Sequence, residues 1–183
     1  MHVKSTSEEH DLIQGCKVQD RRSQEALYQR YAPKLYAVCL RYMGTEPDAQ
    51  DVLQEAFIKI FRALPAFRGD GSFEGWMRRI VVNTAIEQIR KKHVLTTLIA
   101  EQQEENLESE TASAIDQLSE QELLRMIQSL PPGYRSVFNL YVVEGYAHKE
   151  IASMLEITEG TSKSQLARAR AMLQEKIKSI STP

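Results

Sequence analysis

Residues 73–89 constrain the fold more than any other stretch of the chain. Phe73, Trp76, Met77, Ile80, Val81, Val82, Ala85, Ile86 and Ile89 spread apolar surface around most of a helical circumference. Such a helix is stable in water only when neighbours cover it on nearly every side, so it must run through the middle of a helical bundle. The polar positions left over, Arg79, Asn83, Glu87 and Arg90, make one narrow stripe. The segment closes on the basic run Arg90-Lys91-Lys92.

The segment just before it supplies one neighbour. Leu53, Phe57, Ile60 and Leu64 recur at helical spacing and define one apolar face. Asp48, Asp51 and Glu55 fall on the opposite face, with Ile58 on the flank. Pro65 stops this helix, and Arg68-Gly69-Asp70-Gly71-Ser72 reads as a turn. An acidic outward face beside a basic helix end suggests two different partners.

Composition narrows the class. A chain of 183 residues holds one domain or two small ones. Its 42% hydrophobic and 26% charged residues are ordinary for a soluble globular protein. The net charge of −2 hides an uneven distribution. Residues 93–122 carry Glu101, Glu104, Glu105, Glu108, Glu110, Asp116, Glu120 and Glu122 with no Lys or Arg, so the rest is net basic. No apolar run is long enough to span a bilayer, and the polar start MHVKSTSEEH is not a signal peptide, which predicts a cytoplasmic protein without membrane insertion. Cys16 and Cys39 lack CxxC spacing and the four histidines are scattered, so neither a disulfide, a metal nor a cofactor is expected.

Taken in order, the chain begins with a short helix over Ser7 to Val18, with Leu12 and Ile13 as contacts. A longer one follows over 23–43, carried by Leu27, Tyr31, Leu35, Val38 and Tyr42. Pro33 predicts a kink or break near Ala32, and Gly44 a cap. No segment alternates apolar and polar residues for long, so the fold class is all-α: two small helical bundles joined by an acidic linker. The Gln/Glu/Ser/Thr-rich stretch has the composition of a mobile linker or of an exposed acidic helix, and either separates two modules. The predicted division is a first module over 1–92, a linker over 93–117 and a second module over 118–183.

The second module repeats short helices. Leu123, Met126, Ile127 and Leu130 give one, closed by Pro131-Pro132-Gly133; Tyr134 to Val143, Tyr146 to Leu155 and Thr158 to about Ile180 give three more. Only Glu156, Ile157 and Thr158 separate the last two, the shape of a helix-turn-helix. Thr158 is a sensible N-cap, and Glu159 suits the positive end of the helix dipole. On the last helix Ser162, Leu166, Ala169 and Leu173 form the buried side. The outward side is Gly160, Ser164, Ala167, Arg168 and Ala171, flanked by Lys163 and Arg170. Small residues bordered by cations let a helix approach the floor of the major groove. Ala and Arg also form ordinary solvated helices; the preceding HKEIASML helix and the three-residue turn favour the DNA reading. Lys163 and Arg168 suit guanine, Ser164 either base type, and Arg170, Lys176 and Lys178 phosphates.

This arrangement resembles a known one. DAQDVLQEAFIKIFRALPAFRGDGSFEGWMRRIVVNTA and LPPGYRSVFNLYVVEGYAHKEIASMLEITEGTSKSQLARARAML are similar, in that order, to the second and fourth conserved regions of the sigma-70 family of bacterial RNA polymerase sigma factors, in its extracytoplasmic-function group. The resemblance implies a non-catalytic subunit that binds core RNA polymerase, directs it to specific promoters and assists their melting. It implies that Asp48, Asp51, Gln54, Glu55 and Ile58 dock on the clamp coiled coil of the β′ subunit, where carboxylates around an aliphatic residue suit a basic hairpin. It implies a second contact at the β flap, and an anti-sigma factor as a further partner. The loop Phe67 to Phe73 and Asn83 match positions that capture a flipped base of the minus-ten element, with Phe67 packing on the base and Arg68, Arg79, Arg90, Lys91 and Lys92 along the strand. Thr161, Lys163, Ser164, Ala167, Arg168 and Arg170 match positions at the minus-thirty-five element. Trp76 is read as core packing before any DNA role. The chain departs from the family at Glu156, where Gly is frequent, and at Ser162 and Gln165, where an aliphatic and a basic residue are common. These departures leave the fold intact and bear on the promoter sequence.

Two other classes compete with this reading. A dimeric helix-turn-helix regulator without a polymerase role predicts a palindromic site and leaves Asn83 and Phe67 unexplained. A DNA recombinase needs a nucleophile with supporting cations, whereas the Ser and Tyr residues of the first module fall in core stripes or turns. No catalytic residue is therefore expected.

Overall fold

A computed structural model describes residues 7–97 and 120–181, with the side chains of 7–92 and 121–178. Every regular element among the described residues is helical: α1 Ser7–Lys17, α2 Arg21–Tyr42, α3 Glu46–Ala63, α4 Phe73–Thr97, α5 Glu120–Gln128, α6 Pro132–Phe138, α7 His148–Leu155 and α8 Glu159–Ser181. The described residues divide into two compact units, one of 7–40 and 45–85 and one of 41–44, 86–97 and 120–181, the boundaries falling inside α2 and α4. The predicted linker lies outside the described residues from 98 onward; α4 runs a turn past Lys92, to Thr97.

In the first unit, α1 and α2 are held by a tight corner. Asp20 caps α2, its Oδ2 accepting from the Ser23 amide at 2.8 Å and the Ser23 hydroxyl at 2.7 Å. Those bonds hold its carboxyl below the usual carboxylate range. Gln19 completes the corner in the left-handed region, at φ 62°. Gly15 lets the helices close: a Cβ there would lie 2.1 Å from Ser23 Oγ and 2.7 Å from Ser23 Cβ.

The expected break near Ala32 does not occur, because α2 continues through Pro33 to Tyr42. A proline inside a helix costs about 3 kcal/mol. Leu27, Tyr31, Leu35 and Val38 are buried on both sides of it, each side chain stabilising by roughly 1.5–3 kcal/mol, so burial wins. Nor is Gly44 a left-handed cap; the glycines with positive φ among the described residues are Gly69, Gly71 and Gly145.

Thr45 caps α3, its hydroxyl accepting from the Asp48 amide, and Glu46 and Asp48 suit the positive helix end. The buried face of α3 is Val52, Leu53, Ala56, Phe57 and Ile60. A 3-10 turn over Leu64–Ala66 leads into the loop, and Ser72 Oγ accepts from the Gly75 amide at 3.0 Å to start α4. Helix α4 buries Phe73, Met77, Val81, Val82, Ala85 and Ile86, leaving Arg79, Asn83 and Glu87 exposed. Of the apolar positions its sequence sets out, Trp76, Ile80 and Ile89 are half-buried and the other six buried.

In the second unit, Met126 and Leu130 pack with Ala169 and Leu173, extended by Tyr134, Phe138, Met172 and Ile177. The helix predicted over 134–143 forms in two parts: α6, then a π-helical turn over Asn139–Val143 whose end the Glu144 amide closes on Asn139 O at 3.0 Å. Helix α7 starts two residues later than predicted, where Glu150 reaches back to the Ala147 amide at 2.8 Å. Glu156 takes the left-handed conformation, φ 57°, that ends α7. A glycine would adopt it without the Cβ penalty.

Gly15→Ala places a methyl against Ser23 and should destabilise the full chain by about 1–3 kcal/mol in urea unfolding followed by circular dichroism. Unchanged stability would contradict the close α1–α2 approach.

Candidate nucleic-acid interface

The acidic row on α3 is continuous. Asp51 and Gln54 are exposed, Asp48 and Glu55 are half-buried, and Ile58 is 52% exposed between them and the next turn. Lys59 pairs with Glu55 at 3.1 Å on the same helix. A large aliphatic in water among carboxylates leaves burial unused that a partner surface can supply.

The loop after α3 turns on Gly69 and Gly71, at φ 84° and 90°. Arg68 is exposed beside them. Phe67 is half-buried, its ring 5.0 Å from Trp76 and 5.2 Å from Phe73. Trp76 stacks on Phe73 at 5.6 Å, and Tyr31 meets Phe73 edge-on at 5.7 Å. Phe67 is thus one wall of an aromatic cluster, not a free platform, and Trp76 packs in that cluster. The loop is fixed at its start: Lys17 Nζ, at the end of α1, donates to Phe67 O at 2.9 Å. Sequence reasoning missed Lys17, since no local pattern joins residues 50 positions apart.

Arg79 and Asn83 stand one turn apart on the exposed stripe of α4, with Lys91 and Lys92 exposed further along. Arg90, in the second unit, is half-buried and forms an ion pair with Glu156.

In the helix-turn-helix, Thr158 Oγ1 accepts from the Thr161 amide at 3.0 Å and bonds its hydroxyl at 2.8 Å. Ser162, Leu166, Ala169 and Leu173 are all buried, as the helical wheel predicts. The outward set divides. Lys163 and Arg170 are exposed, Lys163 pairing with Glu159 at 2.8 Å and holding that carboxyl below its usual range. Ser164, Ala167 and Arg168 are half-buried. Ser164 Oγ donates back to Thr161 O at 3.0 Å, and Arg168 Nη1 donates to the Tyr134 hydroxyl at 3.2 Å. The Arg170 guanidinium lies 5.8 Å from the Tyr141 ring centre. His148 stacks on the same ring at 4.5 Å, and its Nδ1 lies 2.9 Å from Ser162 Oγ. Burial first, then Lys163 and Arg170 against an opposing Glu159, lowers the His148 pKa.

The thiols offer no chemistry at neutral pH. Cys16 and Cys39 are free and buried, and burial pushes them up to about 11 and about 12. Among the described residues no helix is long and apolar enough to cross a membrane.

The two helical units with an acidic row, a glycine loop and a helix-turn-helix have counterparts among known proteins. Residues 27–94 match the family model for sigma-70 region 2, and residues 120–173 that for sigma-70 region 4. The ECF RNA polymerase sigma-E factor of Escherichia coli K12 is 32% identical over 92% of this chain and 94% of its own length. The RNA polymerase sigma-H factor of Pseudomonas aeruginosa is 29% identical over 94% and 95%. A solved structure of the sigma factor RpoE with the anti-sigma factor NepR from Bartonella quintana is 21% identical, covers 84% of this chain and 96% of its own, and has a TM-score of 0.49. Identity of 32% across nearly the whole length, with both regions in order, settles the family: the chain belongs to the extracytoplasmic-function group of the sigma-70 family of RNA polymerase sigma factors.

Proposed function

We propose that residues 1–92 and 118–183 divide the work of this sigma factor, with 93–117 as the connection. The first module grips the β′ clamp of core polymerase through Asp48, Asp51, Gln54, Glu55 and Ile58. Its loop and α4 hold one bared strand of the minus-ten element, while α8 holds intact duplex at the minus-thirty-five element and the β flap receives the second module. The observation that carries this reading is Asn83, which stands exposed with Arg79 on α4, beside the buried Val81, Val82, Ala85 and Ile86.

An amide presents a donor and an acceptor, so Asn83 can pair with an unstacked base edge that is hidden in duplex. Unpairing and flipping a base costs a few kcal/mol, and a protein that binds only the flipped state offsets that cost. Melting therefore follows from differential binding, without an active site in this chain. Phe67, fixed by Lys17 and backed by Trp76, gives the base an apolar wall, and Arg68, Arg79, Arg90, Lys91 and Lys92 neutralise strand phosphates. On α8, Lys163 and Arg170 meet the backbone first. Arg168, steadied by Tyr134, reads a base with Thr161, Ser164 and Ala167 lining the approach. The protein acts in the cytoplasm, is not an enzyme, and is withheld by an anti-sigma factor that competes for these surfaces.

Reversing charge at Asp51 and Glu55 together should weaken association with core polymerase by about tenfold. The melting curve should hardly move, since an exposed Glu55–Lys59 pair contributes about 0.3–0.5 kcal/mol; unchanged association removes the clamp assignment. Asn83→Ala should reduce permanganate reactivity of the minus-ten strand far more than closed-complex binding. An equal fall in both would rule out base capture. Arg168→Ala should relax sequence preference upstream, whereas Arg170→Ala should weaken all sequences alike and lower the salt slope by about 1. Uniform loss from Arg168→Ala would reduce it to a phosphate contact.

A further inference from the structure

We propose that His148 and Ser162 form a positioning pair that sets how α8 presents Lys163 and Arg170 to duplex DNA, with Tyr141 as the platform for Arg170. The inference rests on the reading of α8 as the upstream DNA helix.

Ser162 is fully buried on the side of α8 where Leu166, Ala169 and Leu173 supply an apolar face. A hydroxyl there is unfavourable unless it is hydrogen-bonded. The bond comes from the first residue of α7, His148, whose Nδ1 lies 2.9 Å from Ser162 Oγ. The hydrophobic effect has no preferred direction. A hydrogen bond is directional, so this part-buried pair adds an angular constraint on α8 against α7.

The imidazole is itself fixed. It lies nearly parallel to Tyr141, at 4.5 Å and 21°, and Tyr141 belongs to the π-helical turn. Arg170 places its guanidinium near the same ring. Lys163 follows Ser162 directly, and Arg170 lies two turns further along the same side of the helix, roughly 10 Å away at 1.5 Å per residue. One polar contact thus governs the direction of both exposed cations. Ser162 therefore has a use for its hydroxyl at a position where the helical pattern asks for an aliphatic.

The test uses the full chain with core polymerase, reading protection of the upstream element by footprinting, core association in parallel, and the melting curve of each variant. Ser162→Ala and His148→Ala should each reduce upstream protection by roughly five- to tenfold with core association unchanged, and the double variant should lose no more than either alone. His148→Asn, whose amide can take the place of Nδ1, should restore most of the loss. If His148→Ala melts early, Ser162→Ala, which deletes one oxygen from a helical position, decides the matter. Full upstream protection in the single variants, additive losses in the double, or no rescue by Asn would each overturn the proposal. Lys163→Ala and Arg170→Ala separate it from the underlying reading. If these weaken protection while the His148 and Ser162 variants do not, only the positioning pair is wrong. If they also leave protection intact, the assignment of α8 to DNA fails and the pair falls with it.

Discussion

The burial of one face of α4 between Phe73 and Ala85 is the constraint on which the first unit depends. Helix α4 sets Phe73, Met77, Val81, Val82 and Ala85 in the core and keeps its polar side chains to the remaining face. The polar side chains that α4 leaves open include Glu74, Arg79, Asn83, Glu87, Lys91 and Lys92. The same packing makes those positions stiff. In the proposed role of Asn83, an amide carried on a packed helix backbone would lose little freedom on meeting a base.

The loop beside it follows a different logic. Gly69 and Gly71 let the backbone turn where side chains resist, yet the loop's first residue is pinned by Lys17 and by the Phe67–Trp76 contact. The loop is thus anchored at its start, with glycines carrying the turn beyond it. The second unit also places rigid packing under its exposed cations. Met126 and Leu130 pack on Ala169 and Leu173 of α8, Tyr134 bonds the half-buried Arg168, and His148 bonds the buried Ser162.

Much of this was legible in the sequence wherever burial writes a period. The all-round apolar pattern of α4, the acidic row of α3 and the four-residue buried set of α8 are consequences of periodicity alone. What was not legible depends on contacts between distant residues. The Lys17–Phe67 bond leaves no local trace, and a helical wheel gives the angle of Arg168 but not the Tyr134 hydroxyl that holds it. Pro33 does not break α2, because its local penalty is smaller than the burial on either side. The π-helical turn at Asn139–Val143 adds one residue per turn without changing the residue pattern that predicts a helix. The family resemblance supplied roles for residues such as Asp51 and Asn83 that solvent exposure alone would not distinguish from an ordinary charged surface.

The central claim is that one chain grips polymerase and a bared strand with its first module and upstream duplex with its second. The direct measurement is transcription in vitro by purified core polymerase on genomic DNA of the organism that encodes the chain, with transcript 5′ ends mapped with and without the protein. The account predicts a discrete set of start sites that appear only when the protein is added, each preceded by two elements at fixed spacing. Unchanged start sites, with the protein bound instead as a dimer to a symmetric duplex, would contradict it.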